Sequence, residues 1–86
     1  MPEVSRFFGI VIQMYYDEHD PPHFHALYGE HEAQITITPI SVSRGSLPSR
    51  ANSMVIEWAA LHQRALLENW ERMRADQPVI KLPPLR

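Results

Sequence analysis

His23-Phe24-His25-Ala26-Leu27-Tyr28-Gly29-Glu30-His31-Glu32-Ala33-Gln34-Ile35-Thr36 reads as a β-hairpin. Glycine in the first central position of a two-residue loop suits a type II′ turn, so Gly29-Glu30 joins a strand from His23 to Tyr28 to one from His31 to Thr38. That turn sets the pairing. Tyr28 faces His31, Ala26 faces Ala33 and Phe24 faces Ile35 on one mostly apolar side; Leu27 with Glu32, His25 with Gln34 and His23 with Thr36 share the other. Phe24, Ala26, Ala33, Ile35 and Ile37 then make a core face, and His23 and His25 stand together on a polar one. A slip of one residue would bury the polar set, which desolvation opposes.

Upstream, Phe7 to Tyr16 reads as one strand, with Phe8, Ile10, Ile12, Met14 and Tyr16 on one face at period two. Asp17-Glu18-His19-Asp20-Pro21-Pro22 ends it with charge and proline. Downstream, Ile40 to Ser43 is a short fourth strand stopped by Arg44-Gly45-Ser46. From Pro48 to Ala75 the period becomes helical, with Ala51, Met54, Val55, Trp58, Leu61 and Leu66 among the residues three and four apart. Ser46 or Ser49 serves as its cap, Pro78 ends the region, and Glu68 and Arg72 are ordered for an i,i+4 pair. A continuous helix of about 27 residues would be about 40 Å long. A compact chain of this size has a radius of gyration of about 12 Å. The helix therefore either breaks or projects toward a partner. The tail from Val79 to Pro84 adds an edge strand or lies extended, since proline limits it to these.

The expected fold is α+β: an antiparallel three- to four-stranded β-meander followed by one long C-terminal amphipathic α-helix packed on one face. All of it forms one domain, with a sheet part at 1–45, the helix at 46–76 and an extended tail at 77–86.

Composition narrows the function. Eighty-six residues suffice for one core only. There is no cysteine, which removes disulfides and thiolate ligands and leaves packing and self-association, for instance as a homodimer, to supply stability. A formal charge of −2 argues against a strongly basic nucleic-acid footprint, although protonating all five histidines would carry it to +3. Neither a targeting segment nor an apolar stretch long enough for a membrane is visible, so the expected location is the cytoplasm, away from membranes.

The chemistry is concentrated between Asp17 and His25, where three histidines and three carboxylates surround a diproline. His23 and His25, two residues apart on a strand, put both imidazoles on one face about 7 Å apart along the chain. Three readings compete. As a metal site, His23 and His25 bind a divalent ion such as zinc, with His19 folding over as third ligand and Glu32 or a water as fourth. As an acid–base pair, His23 and His25 divide those roles in cleaving RNA or another substrate, with Tyr15, Tyr28 or Gln34 beside them and Arg44 or Arg50 contacting phosphate. As a solvated polar face, they need no ligand at all. Trp58 reads as core; Trp70, near the far end of the helix, is the candidate anchor for a protein partner. Arg64, Arg72 and Arg74 alternate with Glu68, Glu71 and Asp76, which is a mixed solvated face rather than a nucleic-acid stripe.

Pro2-Glu3-Val4-Ser5-Arg6-Phe7-Phe8-Gly9-Ile10, the block Met14-Tyr15-Tyr16 with His19-Asp20-Pro21-Pro22-His23-Phe24-His25, and Trp58-Ala59, Leu61-His62 and Leu66-Leu67-Glu68-Asn69-Trp70 together resemble the small bacterial domain of unknown function 4160. The resemblance spans nearly the whole chain. It implies a component of a toxin–antitoxin-type gene pair, with a small cognate protein encoded nearby as partner, and it carries no catalytic residues over. On that expectation the function is a histidine-based RNA-cleaving or phosphate-binding site; the alternatives are a non-enzymatic module that binds its cognate protein, or a metal-binding domain using His19, His23 and His25.

Overall fold

A computed structural model of the chain describes residues 2–16 and 18–86. Five strands form one antiparallel sheet in sequence order: β1 (Glu3–Phe7), β2 (Ile10–Gln13), β3 (His23–Tyr28), β4 (His31–Ile37) and β5 (Ile40–Gly45). Two helices follow, α1 (Ser49–Leu61) and α2 (Gln63–Arg74), and then an extended tail.

The central hairpin has the register that its turn dictates. All six β3–β4 pairs, from His23 opposite Thr36 to Tyr28 opposite His31, are those expected, and Gly29 takes the positive φ of +59° that a type II′ turn needs. Phe24, Ala26, Ala33, Ile35 and Ile37 are buried as a block, joined by Ile10 and Ile12 from β2. Val55 and Trp58 of α1 close over them, and the Trp58 ring lies 5.5 Å from Phe7 and 5.9 Å from Phe24.

Elsewhere local pattern misleads. The expected single strand from Phe7 to Tyr16 is two strands, because the chain reverses at Phe8-Gly9, with φ of +48° and +80°. Both positive values match the demand of a type I′ turn. Phenylalanine is an uncommon residue there, so in the sequence the alternation runs unbroken through the turn. Ile10, Ile12 and Met14 do face inward, but Phe8 is 61% exposed at the tip. The fourth expected strand is the fifth, and it runs on through Arg44 and Gly45 rather than stopping before them. Gly45 has φ +70°, and a Cβ there would stand 2.1 Å from the Glu32 carbonyl oxygen. Backbone cannot yield as a side-chain tip does. Gly45→Ala is therefore expected to destabilise the protein by about 1–3 kcal/mol through φ strain and contact, measured by urea denaturation; an unchanged midpoint would refute the close approach.

The single long helix is also corrected. It breaks at His62 (φ −120°, ψ 21°), which ends α1 and precedes α2. Neither proline nor glycine marks the break; tertiary contacts do. The Gln63 side-chain amide donates to the Ile37 carbonyl at 2.7 Å, tying α2 to the end of β4, while the His62 ring packs locally on Trp58 one turn back, 5.2 Å away. The longest dimension of the molecule is 34 Å, too short for an unbroken helix of about 40 Å. Neither Ser46 nor Ser49 caps α1; Pro48 holds the N-cap position and no side-chain oxygen bonds the free amides. The Glu68–Arg72 pair is present at 3.4 Å.

The tail stays extended and acts as a strap. Asn69 of α2, fully buried, exchanges two 2.8 Å hydrogen bonds with the backbone of Ile80. The Trp58 indole N–H donates to Pro83 at 2.8 Å, and Leu82 N–H donates to Val4 on the outer edge of β1 at 2.9 Å. Edge β1 is thereby partly covered, while β5 forms the open edge of the sheet. Among the described residues no helix is long and apolar enough to cross a membrane.

Candidate metal centre

Pairing across β2–β5 places Gln13, His25, Gln34 and Arg44 opposite one another in a single row on the polar face of the sheet. His23 stands two residues from His25 on that same face. A solvated face would leave both imidazoles wet. Instead His23 is 4% exposed and His25 9%, which overturns the solvent-face reading. Tyr15 covers His25, with ring centroids 4.3 Å apart, and Trp70 from α2 covers His23 at 5.1 Å.

The loop after β2 supplies the third group. Glu18 Oε1 lies 2.5 Å from His25 Nε2 and 3.2 Å from His23 Nε2. Only the first contact has hydrogen-bond alignment; His23 Nε2 is close to the carboxylate but off axis, and is left without a hydrogen-bond partner. Glu18, His23 and His25 each offer one ligand atom, all within 4.8 Å of one another. The loop is tied down by Arg74 of α2, whose guanidinium contacts both Asp20 carboxylate oxygens at 3.0 and 3.1 Å. Asp17, which the sequence placed in this cluster, lies outside the described residues.

The other ring nitrogens explain the orientation. His23 Nδ1 lies 2.7 Å from the Pro21 carbonyl. A carbonyl only accepts, so Nδ1 carries the proton and donates it. In the neutral ring Nε2 then bears a lone pair. That nitrogen lies beside the Glu18 carboxylate, off axis and unpartnered, and the carboxylate is itself only an acceptor when ionised. His25 Nδ1 lies 3.4 Å from Glu32 Oε2 but makes no hydrogen bond, so both its nitrogens are near carboxylates and only Nε2 is bonded to one. Burial raises the pKa of Glu18, but the hydrogen bond from His25, the approach of His23 and the charges of both outweigh it and the net shift is downward. Burial, followed by the charges of Glu32 and Glu18, raises that of Tyr15. Tyr15 therefore stays a neutral donor, and its hydroxyl donates to Gln13 Oε1 at 3.0 Å.

Several nominations from the sequence change place. His19 is exposed and outside the cluster; Glu18, its neighbour, holds the third position. Glu32 lies 3.4 Å from the outer nitrogen of His25, without hydrogen-bond alignment, instead of sharing the inner space. Gln34 and Arg44 line the groove beside the histidines, whereas Arg50 lies with Phe8 and Met54 around a different cavity. Tyr28 is also at that other cavity. Trp70 is 3% exposed, so it is a lid over His23 and no free anchor for a partner. Its indole N–H is buried without an acceptor. It borders a space of about 220 Å³ with Tyr15, Glu18 and Arg74. Glu18 carried a signal of its own: a carboxylate five residues before a His-x-His pair, in a loop held back by two prolines.

No curated protein and no solved structure matches the chain. A family model does, over residues 9–71, a span that takes in the histidine pair, Glu18, Arg44 and both tryptophans; its description is Domain of unknown function (DUF4160).

Proposed function

We propose, on the premise that the chain belongs to the DUF4160 family and takes no assigned activity from it, that it is a divalent-metal-binding domain whose ligands are Glu18, His23 and His25. The observation that carries this reading is the meeting of acceptors at one point. With Nδ1–H of His23 committed to Pro21, its buried Nε2 is left without a hydrogen-bond partner, 3.2 Å from a carboxylate oxygen of Glu18. Two acceptors in contact are unfavourable unless a proton or a cation lies between them. A metal ion supplies that positive charge.

Two imidazoles and one carboxylate form a donor set that zinc accepts with water in the fourth position, and that other first-row divalent ions also accept. The surroundings support the same reading. A ligating histidine usually donates its second N–H to a carbonyl or carboxylate, which sets the tautomer. Pro21 accepts in this way from His23, and Glu32 lies 3.4 Å from the corresponding nitrogen of His25, within reach of that role once the ring is ligated. An acid–base pair acting without metal is less well supported, because both Nε2 atoms converge on the same Glu18 oxygen.

Protein produced without a histidine tag is expected to contain, or to take up, one equivalent of zinc, measured by elemental analysis after dialysis. Glu32→Ala should weaken zinc binding by roughly 10–100-fold, as loss of an orienting partner does. Wild-type protein that neither carries nor binds zinc, manganese, nickel or iron(II) would defeat the proposal and return the site to the acid–base reading.

A further inference from the structure

We infer that the groove beside the histidines binds one phosphoryl group, the terminal phosphate of a small monoester, between Arg44 and the ion held by Glu18, His23 and His25. The inference rests on the metal reading above and adds the ligand class.

Position is the first support. Arg44 and His25 both pair with Gln34, so two strand spacings separate them, about 10 Å between backbones. Their side chains share one face. A bulge in the β4–β5 pairing between Gln34 and Ile35 adjusts the direction of this strand end. Gly45, the residue that follows Arg44, is pressed against the Glu32 carbonyl and fixes the backbone at this strand end.

The shape of the surface agrees with this. Two adjoining hollows, of about 390 and 310 Å³, both have Gln34 and Arg44 in their walls. The first reaches Glu18 and His23, and the second reaches His25 and Glu32. The groove thus runs from the guanidinium to the edges of both imidazoles. An anion seated in it can touch Arg44 at one end and the ion at the other.

Charge selects the ligand. Among the described residues Arg44, like Arg50, Arg64 and Arg86, is in no ion pair, and of these four it is the one that lines the hollows beside the histidines. Asp20, at the rim, is neutralised by Arg74. A divalent ion with Glu18 and Glu32 is formally neutral, and Arg44 makes the site +1. A guanidinium binds phosphate oxygens in a fork, and the tetrahedral phosphoryl group keeps a further oxygen for the metal. One cation in the groove and carboxylates at its rim suit a single phosphoryl group. A nucleic-acid backbone would require a positive track along the surface, which a chain of net charge −2 does not supply here.

The test is calorimetric titration of the zinc-loaded protein with glycerol 3-phosphate, beside acetate and a short single-stranded RNA. Wild type is expected to bind glycerol 3-phosphate more tightly than either comparison ligand. Arg44→Met should weaken it about tenfold or more, Arg44→Lys less, with zinc affinity unchanged in both. Equal binding by wild type and Arg44→Met, preference for acetate or RNA, or no phosphate binding by a zinc-loaded protein overturns this inference alone. Failure to bind zinc overturns it together with the metal reading.

Discussion

Trp58→Ala is expected to remove most of the protein's stability. The side chain is fully buried, its ring meets Phe7, Phe24 and His62, and its N–H holds the tail at Pro83. Deleting a buried aromatic of this size costs about 3–5 kcal/mol. A domain of this length has on the order of 4–13 kcal/mol in total. The loss is therefore comparable with the whole margin at its low end. Urea denaturation followed by far-UV circular dichroism should show a large fall in midpoint, or no folded baseline. Trp58→Phe helps to separate the two contributions, because it keeps an aromatic in the core and deletes the bond to the tail, worth about 1–2 kcal/mol, along with only part of the packing. A midpoint for Trp58→Ala within error of wild type would mean that the tryptophan is not the centre of the core.

The second large effect is the response of stability to zinc. An ion that binds only the folded state at one hundred times its dissociation constant stabilises by about 2.7 kcal/mol. For a domain of this size that raises Tm by roughly 10–20 °C. Glu18→Gln and His23→Gln should each abolish the shift, because each removes a direct ligand, while the Tm without metal changes much less. His23→Gln retains volume beneath Trp70, so it separates metal binding from cavity formation. His19→Ala should leave the shift intact, since His19 lies outside the cluster. A zinc shift that survived both Glu18→Gln and His23→Gln would place the ion elsewhere, and the proposed ligands would be wrong.

The two tests probe parts of the molecule that differ in how readable they were. The β3–β4 hairpin was legible because alternation and the Gly29-Glu30 turn are local properties, and together they settle which side chains oppose one another. That reading placed His23 and His25 on one face beside Gln34, and carried the row to Gln13 and Arg44 once the outer strands were in place. The turn at Phe8-Gly9 was hidden by its own alternation, since a phenylalanine at positive φ has no compositional mark. The break at His62 was hidden for a related reason. Its residues are ordinary helix residues, and what bends the chain is the anchoring of Gln63 to Ile37.

Burial of the histidines was beyond local reasoning altogether. Periodicity assigns a side chain to a face but says nothing of what arrives to cover it. Here the cover is Trp70, brought back by the second helix, and Tyr15, two residues beyond the end of β2. The same return of α2 lets Arg74 hold the loop that delivers Glu18. From its residues alone the chain is a cysteine-free α+β domain with a paired-histidine strand, because composition, turn chemistry and period two are written in neighbouring positions. That those histidines lie under a lid, oriented from outside and converging on Glu18, was decided by contacts between residues up to 54 positions apart, which no window of sequence contains.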